Sequence, residues 1–128
     1  MLGPDWLAMY LYLSALFSLK QGQDAIFDGF NRKPPEAQLI VSSLKWFGRS
    51  FTIFNIAISD TEAAKRIALR KQTSGRKDDE SVEHRLAEYH EYTAPAIEIF
   101  SDAGVLTEIN GEQAPEKIAE DIRTALKI

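Results

Sequence analysis

Cysteine is absent from this sequence of 128 residues, so disulfide bonds and thiolate chemistry are both excluded. A chain without disulfides suits the reducing environment of the cytoplasm, where we expect this protein to be located. A surplus of basic residues is also missing, because 15 lysines and arginines face 19 acidic residues and leave a net charge of −4. Nucleic-acid-binding proteins generally present a basic face, so we expect no nucleic-acid partner.

Long apolar runs are scarce as well. The strongest candidate, WLAMYLYLSALFSL at 6–19, is shorter than the roughly 20 residues that span a bilayer. No basic segment precedes it, as one would in a signal peptide. We therefore expect no membrane association and predict a helix buried on most sides, with Trp6, Tyr10, Tyr12 and Phe17 in the core.

Helical and strand patterns alternate along the chain. We predict, in order, a helix at about 5–20, a buried strand at 24–28, a helix from Pro34 to Gly48, a strand at 51–58, a helix from the capping box of Ser59 and Glu62 to about 72, a polar loop at 73–79, a long helix capped by Asp78 or Asp79 that reaches Ala103 with a kink before Pro95, a strand at 105–109 and a helix at 114–127. This alternation predicts one α/β domain built on a parallel sheet.

Asp28 lies where a ligand of such a sheet would bind, beyond the carboxyl end of a strand. It directly follows Ile26 and Phe27, and Arg32 comes within the same loop. A carboxylate at this place can hold Mg²⁺ through water, and an arginine can grip a phosphate with two hydrogen bonds. The alternative, that Asp28 only caps a turn, stays open on these residues alone.

Cations crowd the segment 65–85 of this acidic chain. They are Lys65, Arg66, Arg70, Lys71, Arg76, Lys77 and Arg85. Arg66 and Arg70 share one helix face, and no acidic residue lies from 63 to 77. One interpretation is a solvated face paired with Glu62. The other is a glycine-hinged flap, TSGRKDD at 73–79, that closes cations over a phosphate group.

The order of these motifs resembles the adenylate kinase family of nucleoside monophosphate kinases. The family pattern D-G-F-P-R is similar to DGFNR at 28–32, R-x-x-x-R to the pair Arg66 and Arg70, R-x-D-D to RKDD at 76–79, and R-L-x-x-Y-x-x-x-T-x-P to RLAEYHEYTAP at 85–95. The last strand, turn and helix of the family resemble VLTEINGEQAPEKI at 105–118. The close spacing after Arg70 implies the short-lid type, with the lid at about 71–79.

The resemblance implies a role for each of these residues. Asp28 would orient Mg²⁺-bound water. The acceptor AMP would be bound by Gly29, Arg32, Glu36, Arg76 and Arg85. The donor ATP would be bound by Arg66, Arg70 and Gln113, the last mostly through its backbone. Catalysis would rest on Asp28, Arg32, Arg70, Arg76 and Arg85, because phosphoryl transfer depends on positioning and charge neutralisation.

Two positions depart from the family pattern. Asn31 stands where the family has proline, which we expect to change the stiffness of the loop and little else. Glu36 stands where the family has the glutamine that reads adenine. Glutamine can donate and accept hydrogen bonds, whereas an ionised glutamate only accepts. Glu36 therefore leaves open which acceptor base is preferred, although it could accept a hydrogen bond from the adenine amine.

The largest departure is the phosphate-binding loop. The seven glycines, at 3, 22, 29, 48, 75, 104 and 111, never form the pattern G-x-x-x-x-G-K-[ST]. The resemblance implies that residues 1–128 are the C-terminal two thirds of a kinase core. The implied fold is a three-layer parallel-sheet P-loop kinase, incomplete because its first strand is missing between strands 24–28 and 51–58. We expect the isolated chain to be inactive.

The function implied by the resemblance is reversible phosphoryl transfer from ATP to AMP to give ADP, with Mg²⁺ as cofactor, in nucleotide biosynthesis. A UMP/CMP-type nucleoside monophosphate kinase is the alternative enzyme. A non-catalytic fragment or nucleotide-binding module is the alternative from another class. Family members are typically monomeric, but we expect this chain alone to be oligomeric or loosely packed, because a missing strand leaves strand edges open.

Overall fold

The computed structural model describes residues 3–30, 32–74 and 81–128. Its elements, in chain order, are α1 (Asp5–Ser18), α2 (Pro34–Phe47), β1 (Ile53–Ala57), α3 (Asp60–Ser74), α4 (Val82–Glu88), a π-helix (Tyr89–Thr93), α5 (Ala94–Asp102), β2 (Leu106–Asn110) and α6 (Pro115–Leu126). Within these described ranges, no helix is long and apolar enough to cross a membrane. The alternation of helix and strand predicted from the sequence is confirmed for most elements.

The two strands form a parallel ladder, as predicted. Ile53 pairs with Leu106 and Ala57 pairs with Asn110, so the strands run in register from end to end. Leu106 and Ile109 point to opposite faces of the sheet because side chains alternate along a strand. Leu106 packs against the main core, and Ile109 is buried on the other face. Both α5 and α6 contact β2, which gives the layered α/β arrangement of an incomplete P-loop kinase fold.

The predicted strand at 24–28 is wrong. Residues 23–28 carry no regular secondary structure, and the side chain of Ile26 is 98% exposed. A strand needs a neighbour that takes up its backbone hydrogen bonds. Among the residues that the structure describes, the sheet consists of β1 and β2 alone, so this apolar run has no ladder to join.

The long helix predicted up to Ala103 is instead three consecutive segments. Ser81 caps α4, because its side chain accepts a hydrogen bond from the amide of His84, whereas the predicted caps, Asp78 and Asp79, lie outside the described residues. A π-helix stands directly before Ala94 and Pro95, and in it the amide of Ala94 donates to the carbonyl of Tyr89; the predicted kink of the helix axis stays a prediction. Proline has no amide to donate, and the backbone therefore widens by one residue just before it.

The core lies between α1, α2 and α5. Its buried residues are Tyr12, Leu16, Ala37, Ile40, Ala96 and Phe100. Tyr12 hydrogen-bonds Ser43 across the α1–α2 contact at 2.9 Å, and its burial raises the pKa of the phenol above the ordinary value of 10.0. One stripe of α1 therefore anchors this helix.

The rest of α1 is not buried, contrary to the prediction. Trp6 is 68% exposed, Tyr10 61% and Phe17 65%. The spacings of four and seven residues between them place all three on one face of the helix. This face is turned away from Tyr12 and Leu16. Its Phe17 contacts Phe47 of α2, with ring centroids 4.9 Å apart, yet all three side chains stay largely exposed. Trp46, at the end of α2, is also 78% exposed.

Candidate active site

The loop between α1 and α2 folds Arg32 back onto Gly29. Gly29 has φ +76°, in the left-handed region that favours glycine. A Cβ atom added there would lie 3.2 Å from Nη2 of Arg32, so the guanidinium group lies against the glycine. The sequence pairs these two residues in DGFNR, and the structure brings them into contact.

Arg32 and Gly29 line a small open cavity. It has a volume of about 110 Å³ and reaches from this loop to β1 and α5, with Asn55, Thr93 and Phe100 among its other walls. The hydroxyl of Thr93 donates a hydrogen bond to the backbone carbonyl of Arg32 at 3.2 Å. The cavity therefore has the cation of Arg32 beside a largely apolar floor, and a guanidinium group in such a place suits a phosphate or another small anion.

Glu36 closes the other side of this loop. It is the one charged residue buried within the described ranges, with 6% of its surface exposed. Its Oε2 accepts hydrogen bonds from the backbone amides of Arg32 at 2.9 Å and Lys33 at 3.3 Å. Glu36 is the third residue of α2, so this is the glutamate half of a capping box. Sequence reasoning missed this role, although the glutamate directly after Pro34 and Pro35 signals it.

A second group of residues lies where the carboxyl ends of β1 and β2 meet. Arg66 of α3 donates from Nη2 to the carbonyl of Gly111 at 2.9 Å and from Nε to Glu62 at 2.7 Å. Ser59 donates to Glu112 at 2.8 Å and accepts from the amide of Glu62. The loop after each strand is therefore tied to the loop after the other.

Gln113 belongs to the same edge of the sheet. Its side-chain amide donates to Oδ2 of Asp121 at 2.6 Å. Hydrogen bonds from Lys117 and then from Gln113 lower the pKa of Asp121 below its ordinary value of 3.8. The side chain of Gln113 is therefore held against α6, and the backbone contact with the donor base that the resemblance implies stays a prediction.

The sequence of the chain was compared with those of known proteins. No protein-family model matches the chain. An adenylate kinase of Phocaeicola vulgatus is 32% identical over 97% of this chain and 67% of its own length. One of Bacteroides fragilis is 33% identical over 96% and 67%, and one of Thermus thermophilus is 32% identical over 98% and 66%. The chain belongs to the adenylate kinase family. It spans about two thirds of the length of these relatives.

The remaining arginines of the adenylate kinase pattern lie on two adjacent helices. Arg66 and Arg70 are on α3, Arg85 is on α4, and α3 contacts α4. The helix α3 continues to Ser74, so the first part of the predicted lid at 71–79 is helical. Arg76, Lys77, Asp78 and Asp79 lie outside the described residues, and the lid role predicted for Arg76 stays a prediction.

The assignment of Asp28 to an adenylate kinase metal site rests on a single carboxylate. Asp28 is exposed at the end of the irregular segment before Gly29. In the part of the chain that the structure describes, no three His, Cys, Asp or Glu residues are grouped to hold a metal ion. Mg²⁺ commonly uses one or two carboxylates together with water and substrate phosphates. Asp28 fits that use, in which the ion arrives with the nucleotide.

Proposed function

We propose that this chain contributes the acceptor site and part of the donor site of an adenylate kinase, as the C-terminal two thirds of the kinase core. The reaction is reversible phosphoryl transfer from ATP to AMP, giving ADP, in the cytoplasm. One observation carries the proposal. Thr93 of the R-L-x-x-Y-x-x-x-T-x-P pattern touches Arg32 of the D-G-F-x-R pattern at 3.2 Å, so two distant parts of the family signature meet at one cavity.

At this cavity, the arginines neutralise phosphate charge. Arg32 lies at the wall of the cavity and would bind the acceptor phosphate together with Arg85 and Arg76. Arg70 would face the donor phosphates. Fixed guanidinium groups stabilise the charge on a phosphoryl group in transit, and an arginine of this kind can raise the rate by about 10³–10⁵-fold. Mg²⁺, held by Asp28 through water, would neutralise the donor phosphates.

The donor base would lie at the edge where the strands end. Arg66 is held in place there by Glu62 and by the carbonyl of Gly111, so its planar guanidinium group presents a surface on which a base can stack. The backbone of Gln113 follows in the same loop. Adenine bound here would place its phosphates toward Arg70, one helical turn further along α3.

A chimera tests the proposal. The first third of the Bacteroides fragilis relative, joined to this chain, should form ADP from ATP and AMP at a turnover within the usual enzyme range of about 1–10³ per second. Arg32→Ala should lower kcat by roughly 10²-fold or more. Arg123→Ala, an exposed arginine on α6 far from the proposed phosphate contacts, is the matched control and should keep the activity of the unaltered chimera.

The same assay separates the alternatives. UMP and CMP offered in place of AMP distinguish a UMP/CMP-type kinase by the ratio of kcat/KM among acceptors. A folded chimera that binds AMP but does not turn over would favour a nucleotide-binding module. If Arg32→Ala retained normal turnover, Arg32 would be a surface residue and the acceptor site would have to lie elsewhere.

A further inference from the structure

We infer that Glu36 and Thr93 act together as positioning residues that hold the backbone of Arg32 at its amide and at its carbonyl and so fix where its guanidinium group lies. The inference deepens the proposed function, since it rests on the assignment of Arg32 to phosphate. Neither residue needs to touch the nucleotide for this role. They come from different helical segments, α2 and the π-helix, and they meet at one residue of the loop.

The amide side of the clamp is formed by Glu36. Its Oε2 lies 2.9 Å from the backbone nitrogen of Arg32 and 3.3 Å from that of Lys33. Carboxylate acceptors form stronger hydrogen bonds than neutral ones, and the burial of Glu36 keeps water from competing. A buried carboxylate is costly unless its oxygen atoms are hydrogen-bonded, so these amides also account for the presence of an acid in the interior.

The carbonyl side of the clamp is formed by Thr93. Its Oγ1 donates to the oxygen of Arg32 at 3.2 Å, and it stands at the last residue of the π-helix. Lys33, the next residue of the loop, bonds Asp5 at 2.9 Å and lies 5.7 Å from the ring of Tyr92. The loop is therefore fastened to the π-helix at two successive residues.

The close contact between Gly29 and the guanidinium group of Arg32 makes the position of this side chain depend on the backbone of Arg32. The guanidinium group of Arg32 already packs so close to Gly29 that a Cβ there would meet it at 3.2 Å. A rotation of the backbone about the Cα of Arg32 would therefore move the side chain off Gly29 and away from the cavity. The carbonyl of Arg32 and the amide of Lys33 belong to one planar peptide unit, which Thr93 holds at the oxygen and Glu36 at the nitrogen. Glu36 also holds the amide of Arg32, on the other side of the Cα, so rotation is restrained on both sides of this Cα.

Positioning and base reading make different predictions for Glu36→Gln. A glutamine keeps an oxygen that accepts from the two amides, so a positioning role is largely preserved and the acceptor preference is unchanged. A base-reading role would instead change the AMP/UMP preference, because glutamine adds a donor. Glu36→Ala removes the carboxylate acceptor from both amides and leaves the amide of Arg32 only its 3.1 Å hydrogen bond to the carbonyl of Phe30.

The test uses the ¹⁵N-labelled 128-residue chain and inorganic phosphate and AMP as probes. Thr93→Val should speed hydrogen exchange at the Arg32 amide, shift its side-chain Nε signal and weaken AMP binding about three- to tenfold, the effect of one hydrogen bond. Thr93→Ser should restore all three, because it restores the donor. Thr124→Val, which removes a hydroxyl bonded only to Glu120 within α6, is the control and should leave them unchanged.

A double-mutant cycle identifies the path of the effect. If Thr93 acts through Arg32, Thr93→Val should not weaken AMP binding further in the Arg32→Ala background. Failure of the unaltered chain to bind AMP or phosphate would contradict the proposed function alone, since the Arg32 signals report on the clamp without ligand. The inference is overturned if the Arg32 signals of Thr93→Val match those of Thr124→Val. If Thr93→Val does not fold, Glu36→Gln against Glu36→Ala gives the same decision.

Discussion

Gly111 follows β2 where the two strands end, and nothing larger fits there. A Cβ atom at this position would lie 2.7 Å from a methyl group of Ile58, 2.9 Å from one of Ile56 and 3.0 Å from the carbonyl of Ala57. The last of these is backbone, which cannot rotate away. The same glycine accepts the hydrogen bond from Arg66. The close packing at the ends of the strands thus depends on glycine at position 111, which has no side chain.

We therefore expect Gly111→Ala to lower the free energy of unfolding by about 1–3 kcal/mol, as overpacking typically does. Urea titration followed by far-UV circular dichroism measures it. Gly3→Ala is the matched control, because its Cβ would meet only Leu7 at an ordinary 3.6 Å. Equal midpoints for the two variants would show that the sheet edge accommodates the methyl group.

Asp121 gives a pH-dependent signal at the proposed donor site. Its pKa is lowered by Lys117 and Gln113, so the ionised form is favoured in the folded protein. The stabilisation is present above the ordinary pKa of 3.8 and is lost as pH falls through the lower folded value. We expect the side-chain amide signals of Gln113 to shift only below pH 3.8, and Lys117→Ala to move that transition upward. A transition above 3.8 in the unaltered chain would contradict this.

The resemblance to a known family groups Gly29 with Arg32 and Arg66 with Gln113, and the structure brings Gly29 to Arg32 and Arg66 to the loop before Gln113. Which of these side chains carry the chemistry stays a prediction. The sequence could not predict that the acid in α2 would be buried against backbone amides, since an exposed and a buried Glu36 have the same neighbours in sequence. Thr93 was missed for a related reason. A hydroxyl has many possible acceptors, and its partner lies 61 residues away.

At the scale of elements, Ser59 joins a helix start to a neighbouring loop. It accepts from the amide of Glu62 and donates to Glu112, whereas Ser81 caps α4 through the amide of His84. A lost N-cap typically costs about 1 kcal/mol. We expect Ser59→Ala to destabilise the fold more than Ser81→Ala does, because it also frees the loop of Gln113. Thermal melts of the two variants compare the costs, and a smaller loss for Ser59→Ala would contradict the prediction.

Element boundaries were predictable where a residue enforces them. Pro34 opens α2, and Gly48, with φ +66°, ends it. The strand predicted at 24–28 failed because its apolar character is local while a strand depends on a neighbour. The sequence predicted one helix after Ser81 where the structure has three segments, because a π-turn has no sequence signature of its own. Pro95 indicates a kink, but the backbone decides how the carbonyls before it are satisfied.

For the whole molecule, the exposed face of α1 bears on whether the chain self-associates in solution. Trp6, Tyr10 and Phe17 on one face of α1, and Trp46 of α2, expose large apolar side chains, and exposed apolar surface of this kind favours association. We expect the 128-residue chain to self-associate as concentration rises. Size-exclusion chromatography with light scattering measures this, and a monomer throughout the range would contradict it.

A variant pair shows whether this face is responsible. Trp6→Lys combined with Tyr10→Lys should shift the chain toward monomer, because both positions lie on the exposed stripe. Leu126→Lys, at an exposed position on α6, is the control and should not change the association. If the double variant and Leu126→Lys associate equally, another surface drives association. The unpaired edge of β1 would then be the next surface to alter.

The lone chain should also lack kinase turnover. No G-x-x-x-x-G-K-[ST] pattern occurs in its sequence, and that loop supplies backbone amides to the donor phosphates. A coupled assay for ADP on the 128-residue chain should give a rate indistinguishable from the blank. Turnover near the usual range of about 1–10³ per second would mean that other amides or cations replace the loop.

The pairing of β1 with β2 also constrains the order in which parts of the chain can fold. The two strands are neighbours in space, but α3, α4, the π-helix and α5 lie between them along the chain. The ladder can form only after this long segment closes, and the entropy of closure must be met before any ladder bond forms. During synthesis, β1 therefore leaves the ribosome about four helical segments before its partner strand β2 does. Until then, the apolar side chains and backbone groups of β1 lack the partner strand that the ladder supplies.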